Sequence, residues 1–224
     1  MSVWAHPDDE TFTCGGLMAM AVENGQSVIC VTATRGEAGV QDESRWPAKK
    51  LGSIREFELK LALKELGITK HHWLNYNDGH CKDIPEQKAT DKLLELIEKY
   101  RPNTILTFGP EGLTGHPDHQ TISNWVDCAT QGKSIQVYHA VEELESYEKF
   151  LRNADKKFNI YFNIDKPPVK NIVDCEIGIN LDNKILAKKI KALHAMPSQT
   201  EALLSNISKE NLELMFRCEC FVAN

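Results

Sequence analysis

The chain lacks several features that would have placed it quickly, and each absence narrows the field. No stretch approaches the roughly 20 consecutive apolar residues that a membrane span requires. Met1 runs straight into Val3-Trp4-Ala5 with no basic segment and apolar core of a secretory leader ahead of it. There is no long Lys/Arg run, and a net charge of -6 opposes the concentrated positive field that nonspecific nucleic-acid or anionic-membrane binding relies on. Paired cysteines are missing too: seven, an odd number, are scattered through apolar segments, which suits free thiols in a reducing compartment better than a disulfide framework. The one close pair, Cys218 and Cys220, reads as a strand whose alternate residues face a core, because further metal ligands are not nearby. No internal repeat and no low-complexity segment occurs. What remains is a cytoplasmic globular protein whose partner is a small molecule.

The 224 residues, 42% hydrophobic and 26% charged, are enough for one domain with a proper core. Gln26–Thr34 is rich in β-branched residues between Gly25 and Gly36 and reads as a buried strand. Pro47–Leu66 carries Leu51, Ile54, Phe57, Leu59, Leu61, Leu63 and Leu66 on an approximate helical period, closed by Gly67. A strand at His71–Leu74, a helix at Pro85–Tyr100, a strand at Thr104–Phe108, a helix at Gln120–Gln131 and a strand at Ser134–His139 follow. This alternation predicts an α/β fold: a Rossmann-like, mostly parallel sheet with helices on both faces over residues 1–141. Residues 142–224 form a smaller α+β portion of the same domain. It contains a polar insertion at 145–171 beside the site entrance, a strand at Asn171–Ile179, a helix at Asp182–Ala195 capped by Asp182, and a helix at Thr200–Arg217.

Two segments rhyme across this frame: His6-Pro7-Asp8-Asp9 and His116-Pro117-Asp118-His119. Each follows a predicted strand, and ligands of open α/β sheets bind beyond the carboxyl ends of strands where the strand order reverses. A His-Pro pair alone is an ordinary turn, and Asp8-Asp9-Glu10 alone is ordinary acidic capping of a helix. Together, at equivalent strand ends, they bring two imidazoles and a carboxylate to one point. His6 and Asp9, with His119 from the other side, leave coordination positions open, the pattern of a catalytic metal site. Zinc fits this set best, and non-haem Fe(II) uses the same donors. Asp8 then remains as a general base, His116 as the group that polarises a carbonyl or steadies an oxyanion, and Asp118 as the partner that fixes an imidazole by its second nitrogen. The chain begins only five residues before His6, so its first strand is short; the start reads as a truncation.

These residues resemble the PIG-L/LmbE-like zinc-dependent N-deacetylases. Ala5-His6-Pro7-Asp8-Asp9-Glu10 with Gly15-Gly16 is similar to the family's first motif, and Thr34-Arg35-Gly36-Glu37-Ala38-Gly39 to the segment after its second strand. Gly115-His116-Pro117-Asp118-His119 is similar to its second metal motif. The resemblance implies removal of an acetyl group from an N-acetylglucosamine-type substrate, with His6, Asp9 and His119 on zinc, Asp8 as base and His116 at the oxyanion. It further implies substrate contacts from Arg55, from Asp78 of the Asp78-Gly79 loop, and from His194, whose His-x-Ser-Gln element is lengthened here by Met196-Pro197. Thr114 stands where some members carry a catalytic tyrosine. Members often form homo-oligomers. Hydrolysis of a non-sugar amide or an ester, and a binding module without catalysis, are the rival expectations.

Overall fold

The computed structural model describes residues 1–161 and 163–224, so Phe162 of the predicted insertion lies outside the described residues. Its frame is one sheet in the order β3-β2-β1-β4-β5-β8-β7. The strands β1 (Ser2–Trp4), β2 (Ile29–Thr32), β3 (Lys70–Trp73), β4 (Thr104–Phe108) and β5 (Gln136–Glu143) run parallel. The helices α1 (Asp9–Glu23), α2 (Ala48–Glu65), α3 (Glu86–Tyr100) and α4 (Pro117–Thr130) connect or follow them. This is the predicted mostly parallel α/β arrangement.

The chain moves outward from β1 through β2 to β3, then returns to place β4 on the other side of β1. The order therefore reverses between β1 and β4, and the loops after these two strands face each other across that switch. They are the loops that carry the two rhyming segments. β1 has only three residues, all buried, and its register on β2 pairs Ser2 with Cys30, Val3 with Val31 and Trp4 with Thr32. The Met1 ammonium donates to the Thr104 carbonyl at 2.8 Å and Leu106 N–H to the Met1 carbonyl at 3.0 Å, which extends the pairing with β4. Trp4 and Phe108 lock the two strand ends together edge to face, with centroids 4.8 Å apart.

After β5 the chain forms α5 (Leu144–Ser146), a π turn (Tyr147–Leu151) and α6 (Arg152–Phe158), then the short β6 (Val169–Lys170) beside the end of β5. Then follow β7 (Ile177–Asn180), α7 (Asn183–His194), α8 (Pro197–Leu204), α9 (Lys209–Met215) and β8 (Cys218–Ala223). β8 runs antiparallel to both β5 and β7, which adds the mixed edge to the sheet.

Two predicted elements differ from the structure. The single helix expected over Thr200–Arg217 is two, because Ser208 accepts from Asn211 N–H and starts a new helix after the turn at Ser205–Ile207. The strand expected over Asn171–Ile179 is confined to Ile177–Asn180, since Asn171 donates to the Asp174 carboxylate and closes a 3₁₀ turn at Ile172–Asp174. On α2 the inward face carries Leu51, Arg55, Glu58, Leu59, Ala62 and Leu63, whereas Phe57 and Leu61 point outward at 62% and 38% exposure. Two charged residues thus occupy core-facing positions of that helix.

Candidate metal and hydrolase site

Beyond β1 the backbone makes a turn that only a specific set of contacts can hold. Asp8 sits at φ 108, ψ −36, a left-handed conformation that costs a side-chain-bearing residue on the order of 1–3 kcal/mol. Its N–H is taken by the Glu10 carboxylate at 3.1 Å, and its carbonyl accepts the N–H groups of Thr11 and Phe12 at 2.9 Å each, which starts α1. Arg55 lies behind the turn. Its guanidinium donates to the Pro7 carbonyl and, at 2.8 Å, to the Gly36 carbonyl, and stands 3.3 Å from the Asp8 carboxylate. Gly36, at φ 64, is required there: a Cβ would fall 2.2 Å from the guanidinium.

Asp9 turns back and accepts the His6 N–H at 2.7 Å, which fixes its carboxylate beside the His6 ring. From the opposite loop, α4 begins at Pro117 with His116 as its cap, Nδ1 accepting the Asp118 N–H at 3.0 Å. One turn on, His119 stacks on Phe108 with centroids 4.0 Å apart, and its Nδ1 faces the Gly112 carbonyl at 2.9 Å and the Thr114 hydroxyl at 3.2 Å. A ring held this way carries its proton on Nδ1 and presents a lone pair on Nε2. The outer nitrogen of His6, Nε2, faces Asp78 at 2.9 Å and Asp118 at 3.4 Å. Both carboxylates are anchored in turn, Asp78 by Ala38 N–H, Asp118 by the N–H groups of Gly79 and Cys81.

The inner atoms therefore converge. His6 Nδ1 is 3.2 Å from His119 Nε2 and 3.5 Å from Asp9 Oδ2, and His119 Nε2 is 3.4 Å from Asp9 Oδ1. Tetrahedral coordination at about 2.0–2.2 Å calls for donor separations of roughly 3.3–3.6 Å. The His119 lone pair and the Asp9 carboxylate both face His6 Nδ1, a grouping that favours positive charge between them. Two triads have ligand atoms that all lie within 4.8 Å of one another, His6, His116 and His119, and His6, Asp78 and Asp118, whereas Asp9 presents Oδ2 to His6 and Oδ1 to His119. Both share His6, and the second uses the nitrogen of His6 that faces its carboxylate partners. The set His6, Asp9 and His119 leaves the pairing of His6 Nε2 with Asp78 and Asp118 in place.

The electrostatics agree with a site built for positive charge. Burial disfavours a charged His6, yet Asp118, Asp78 and Asp9 together hold its pKa well above the usual value. Asp9 is driven well below the carboxylate range: burial pushes it up, but His119 and His6 prevail. His119 falls to about 4 through burial, so its ring stays neutral and able to donate a lone pair. Asp8 rises to about 7 because burial outweighs the Arg55 charge beside it. His116 is lowered by burial and by the charge on His6, which favours the neutral ring.

A family pattern described as "PIG-L: GlcNAc-PI de-N-acetylase" matches residues 1–130. The chain belongs to the PIG-L family. Two PIG-L relatives carry the name 1D-myo-inositol 2-acetamido-2-deoxy-alpha-D-glucopyranoside deacetylase. The one from Rhodococcus erythropolis is 31% identical, covering 91% of this chain and 84% of the relative. The one from Actinosynnema mirum is 28% identical over 88% and 79%. Among solved structures, the N,N'-diacetylchitobiose deacetylase of Pyrococcus horikoshii shares the fold at TM-score 0.66 and 21% identity, over all of this chain and 82% of that one. A 4-carboxy-2-hydroxymuconate hydratase from Pseudomonas putida also shares it, at TM-score 0.62 and 15% identity, over 99% and 94%. The fold is thus not tied to one reaction, and the site has to carry the functional argument.

Of the residues singled out in the sequence, the structure brings together His6, Asp8, Asp9, Arg55, Asp78, His116, Asp118 and His119. His194 is exposed at the end of α7. The C-terminal element reaches the site loops through Gln199 instead, whose amide donates to the Gly39 carbonyl at 3.1 Å. Glu10 was part of a quoted motif without a role; it is fully buried and holds the Asp8 turn. A second omission, Glu58, sits on the core-facing side of α2 and accepts Ser198 N–H and Oγ–H at the start of α8. A charge at a core-facing position of a helical period was the signal for it.

Proposed function

We propose that this PIG-L protein is a metal-dependent N-deacetylase that hydrolyses the acetamide of an N-acetylglucosamine-type sugar. The observation that carries this reading is the convergence of His6 Nδ1, His119 Nε2 and the Asp9 carboxylate, with Asp8 in the same turn and its carboxylate 3.3 Å from Arg55. A divalent ion held by these three residues, zinc by preference for two imidazoles and a carboxylate, supplies an acidified water and a Lewis acid for the acetyl carbonyl. The names of the relatives support the choice of an acetamido sugar.

The rest of the chemistry belongs to the chain. Asp8, raised to about 7, is matched to accept the proton of the attacking water near neutral pH and to return it to the departing amine nitrogen. His116 accepts the Asp118 N–H on Nδ1, which fixes the ring at the start of α4, and we assign that ring to the oxygen that gains charge after attack. Asp118 and Asp78 orient His6 by its outer nitrogen. Arg55, expected from the family resemblance to touch the sugar, is only 4% exposed and is engaged by Pro7, Gly36 and Asp8; we assign it to holding the base. Asp78 is likewise assigned to His6. The odd number of cysteines, with Cys14, Cys30, Cys81 and Cys220 buried, supports a reducing cytoplasmic setting. Among the described residues no helix is long and apolar enough to cross a membrane.

The experiment is an acetate-release assay on a panel of N-acetylglucosamine conjugates, non-sugar acetamides and simple esters, run with Asp8→Asn alongside. The expected result is turnover of the sugar acetamides, lowered by roughly 10²–10⁴ in Asp8→Asn while bound metal is unchanged. Full turnover in that variant removes Asp8 from the mechanism. Activity confined to esters or non-sugar amides removes the substrate class.

A further inference from the structure

The family pattern ends at residue 130, and the chemistry described so far uses nothing beyond His119. The C-terminal portion nevertheless contains a buried ion pair: Lys189 on α7 and Glu219 on β8, 2.7 Å apart with side chains 1% and 0% exposed. Burying two charges is costly, and such a pair is weak evidence for stability in its own right. Its third partner shows what it does.

Helix α1 is two segments. Cys14, at φ −138 and ψ 19, breaks it, so that the turn bearing Asp9 and the longer segment after Gly15 are joined at an angle. A helix that restarts exposes N–H groups that need acceptors. Glu219 supplies them: Oε1 accepts Gly16 N–H at 2.8 Å and Oε2 accepts Leu17 N–H at 2.6 Å. The carboxylate thus caps the second segment from another strand, at the end where the helix dipole favours negative charge. Lys189 balances that charge. The Gly15-Gly16 pair of the first motif gains a reason as well, because a Cβ on Gly16 would meet Leu181 at 2.3 Å and the Glu219 carboxylate at 3.0 Å.

We infer that Glu219, neutralised by Lys189, is a positioning residue for the metal-holding turn. The break at Cys14 decides the direction in which the segment carrying Asp9 leaves β1. Without the cap, the two N–H groups at the break must seek acceptors within the helix, and a straightened α1 turns Asp9 away from His6 and His119. The end of the chain thereby sets the geometry of its beginning. This inference rests on the metal site proposed above.

The test is metal affinity, measured by chelator competition on zinc-loaded protein and by the visible spectrum of the cobalt-loaded form. Glu219→Ala is expected to weaken affinity roughly tenfold or more, in the range seen when groups supporting metal ligands are removed, and to alter the cobalt bands. Glu219→Gln, which keeps one acceptor oxygen, is expected to fall between it and the wild type. Leu212→Ala, a truncation of a buried residue on α9, is the control for simple destabilisation and is expected to lower Tm while leaving affinity and spectrum intact. Should Glu219→Ala fail to fold, Glu219→Gln decides: affinity weaker than in Leu212→Ala supports the inference. Wild-type affinity in the Glu219 variants, or a loss no larger than that of the control, overturns it. Wild-type protein that takes up neither zinc nor cobalt overturns the metal-site reading itself.

Discussion

At the scale of residues, the site is a set of commitments that leave few atoms free. Each imidazole has one nitrogen assigned by a neighbour: His119 by Gly112, His116 by the Asp118 N–H, His6 by Asp78 and Asp118. The sequence spacing led to the choice of His6, Asp9 and His119, because residue types and strand-end positions are legible in it. It could not show which nitrogen each ring spends, nor that Asp8 sits at φ 108, since these depend on contacts from Glu10 and Arg55. The resemblance supplied Arg55 and Asp78 as functional residues, while their burial against the turn is visible only in three dimensions.

A histidine remote from the site makes a separate prediction. His71 on β3 faces the Thr32 hydroxyl at 3.0 Å, and burial, reinforced by the charge of His72, lowers its pKa from 6.5 to about 4. The folded state resists the proton that the unfolded chain accepts, so this group's stabilisation is full above about pH 6.5 and is lost as pH falls toward 4. Urea unfolding at pH 7.5 and pH 5 should therefore show His71→Gln losing less stability on acidification than the wild type, by roughly 2 kcal/mol. An identical loss in both proteins would mean that His71 titrates normally.

At the scale of elements, the periodic patterns located the strands and helices, and the exceptions were informative. Arg55 and Glu58 on α2, Lys189 on α7 and Glu219 on β8 are charged residues at core-facing positions, and each joins its element to another. The split of the expected 200–217 helix was hidden because Leu203, Leu204, Leu212 and Met215 keep a helical spacing across the Ser208 cap. Helix α8 is docked on α2 by Glu58, whose carboxylate accepts both Ser198 N–H and, at 2.5 Å, Ser198 Oγ–H. Ser198→Ala leaves one buried carboxylate oxygen without its donor and should cost about 1–3 kcal/mol, read as a lower Tm. Metal content should not change, which separates this joint from the one at Glu219.

At the scale of the whole molecule, the reversal of strand order between β1 and β4 places the two rhyming segments face to face, and this much was legible from the alternation of strands and helices. The antiparallel edge was not, because the pairing of β8 with β5 joins residues far apart in the chain and leaves no local trace. That edge is where Glu219 reaches α1. A sheet that begins at Ser2 and is completed by β8 at Ala223 ties the Asp8-Asp9 turn to both β1 and the C-terminal strand.

We propose that the convergence of His6, Asp9 and His119 holds a metal used to hydrolyse a sugar acetamide. Acetate release from an N-acetylglucosamine conjugate, measured on zinc-loaded protein, on the same protein stripped by chelator and after zinc is restored, tests it most directly. Release is expected to disappear on stripping and to return with zinc in wild-type protein, and not to return in His119→Ala. Release that is indifferent to the chelator, or no release from any acetamido sugar by zinc-loaded protein, would contradict it.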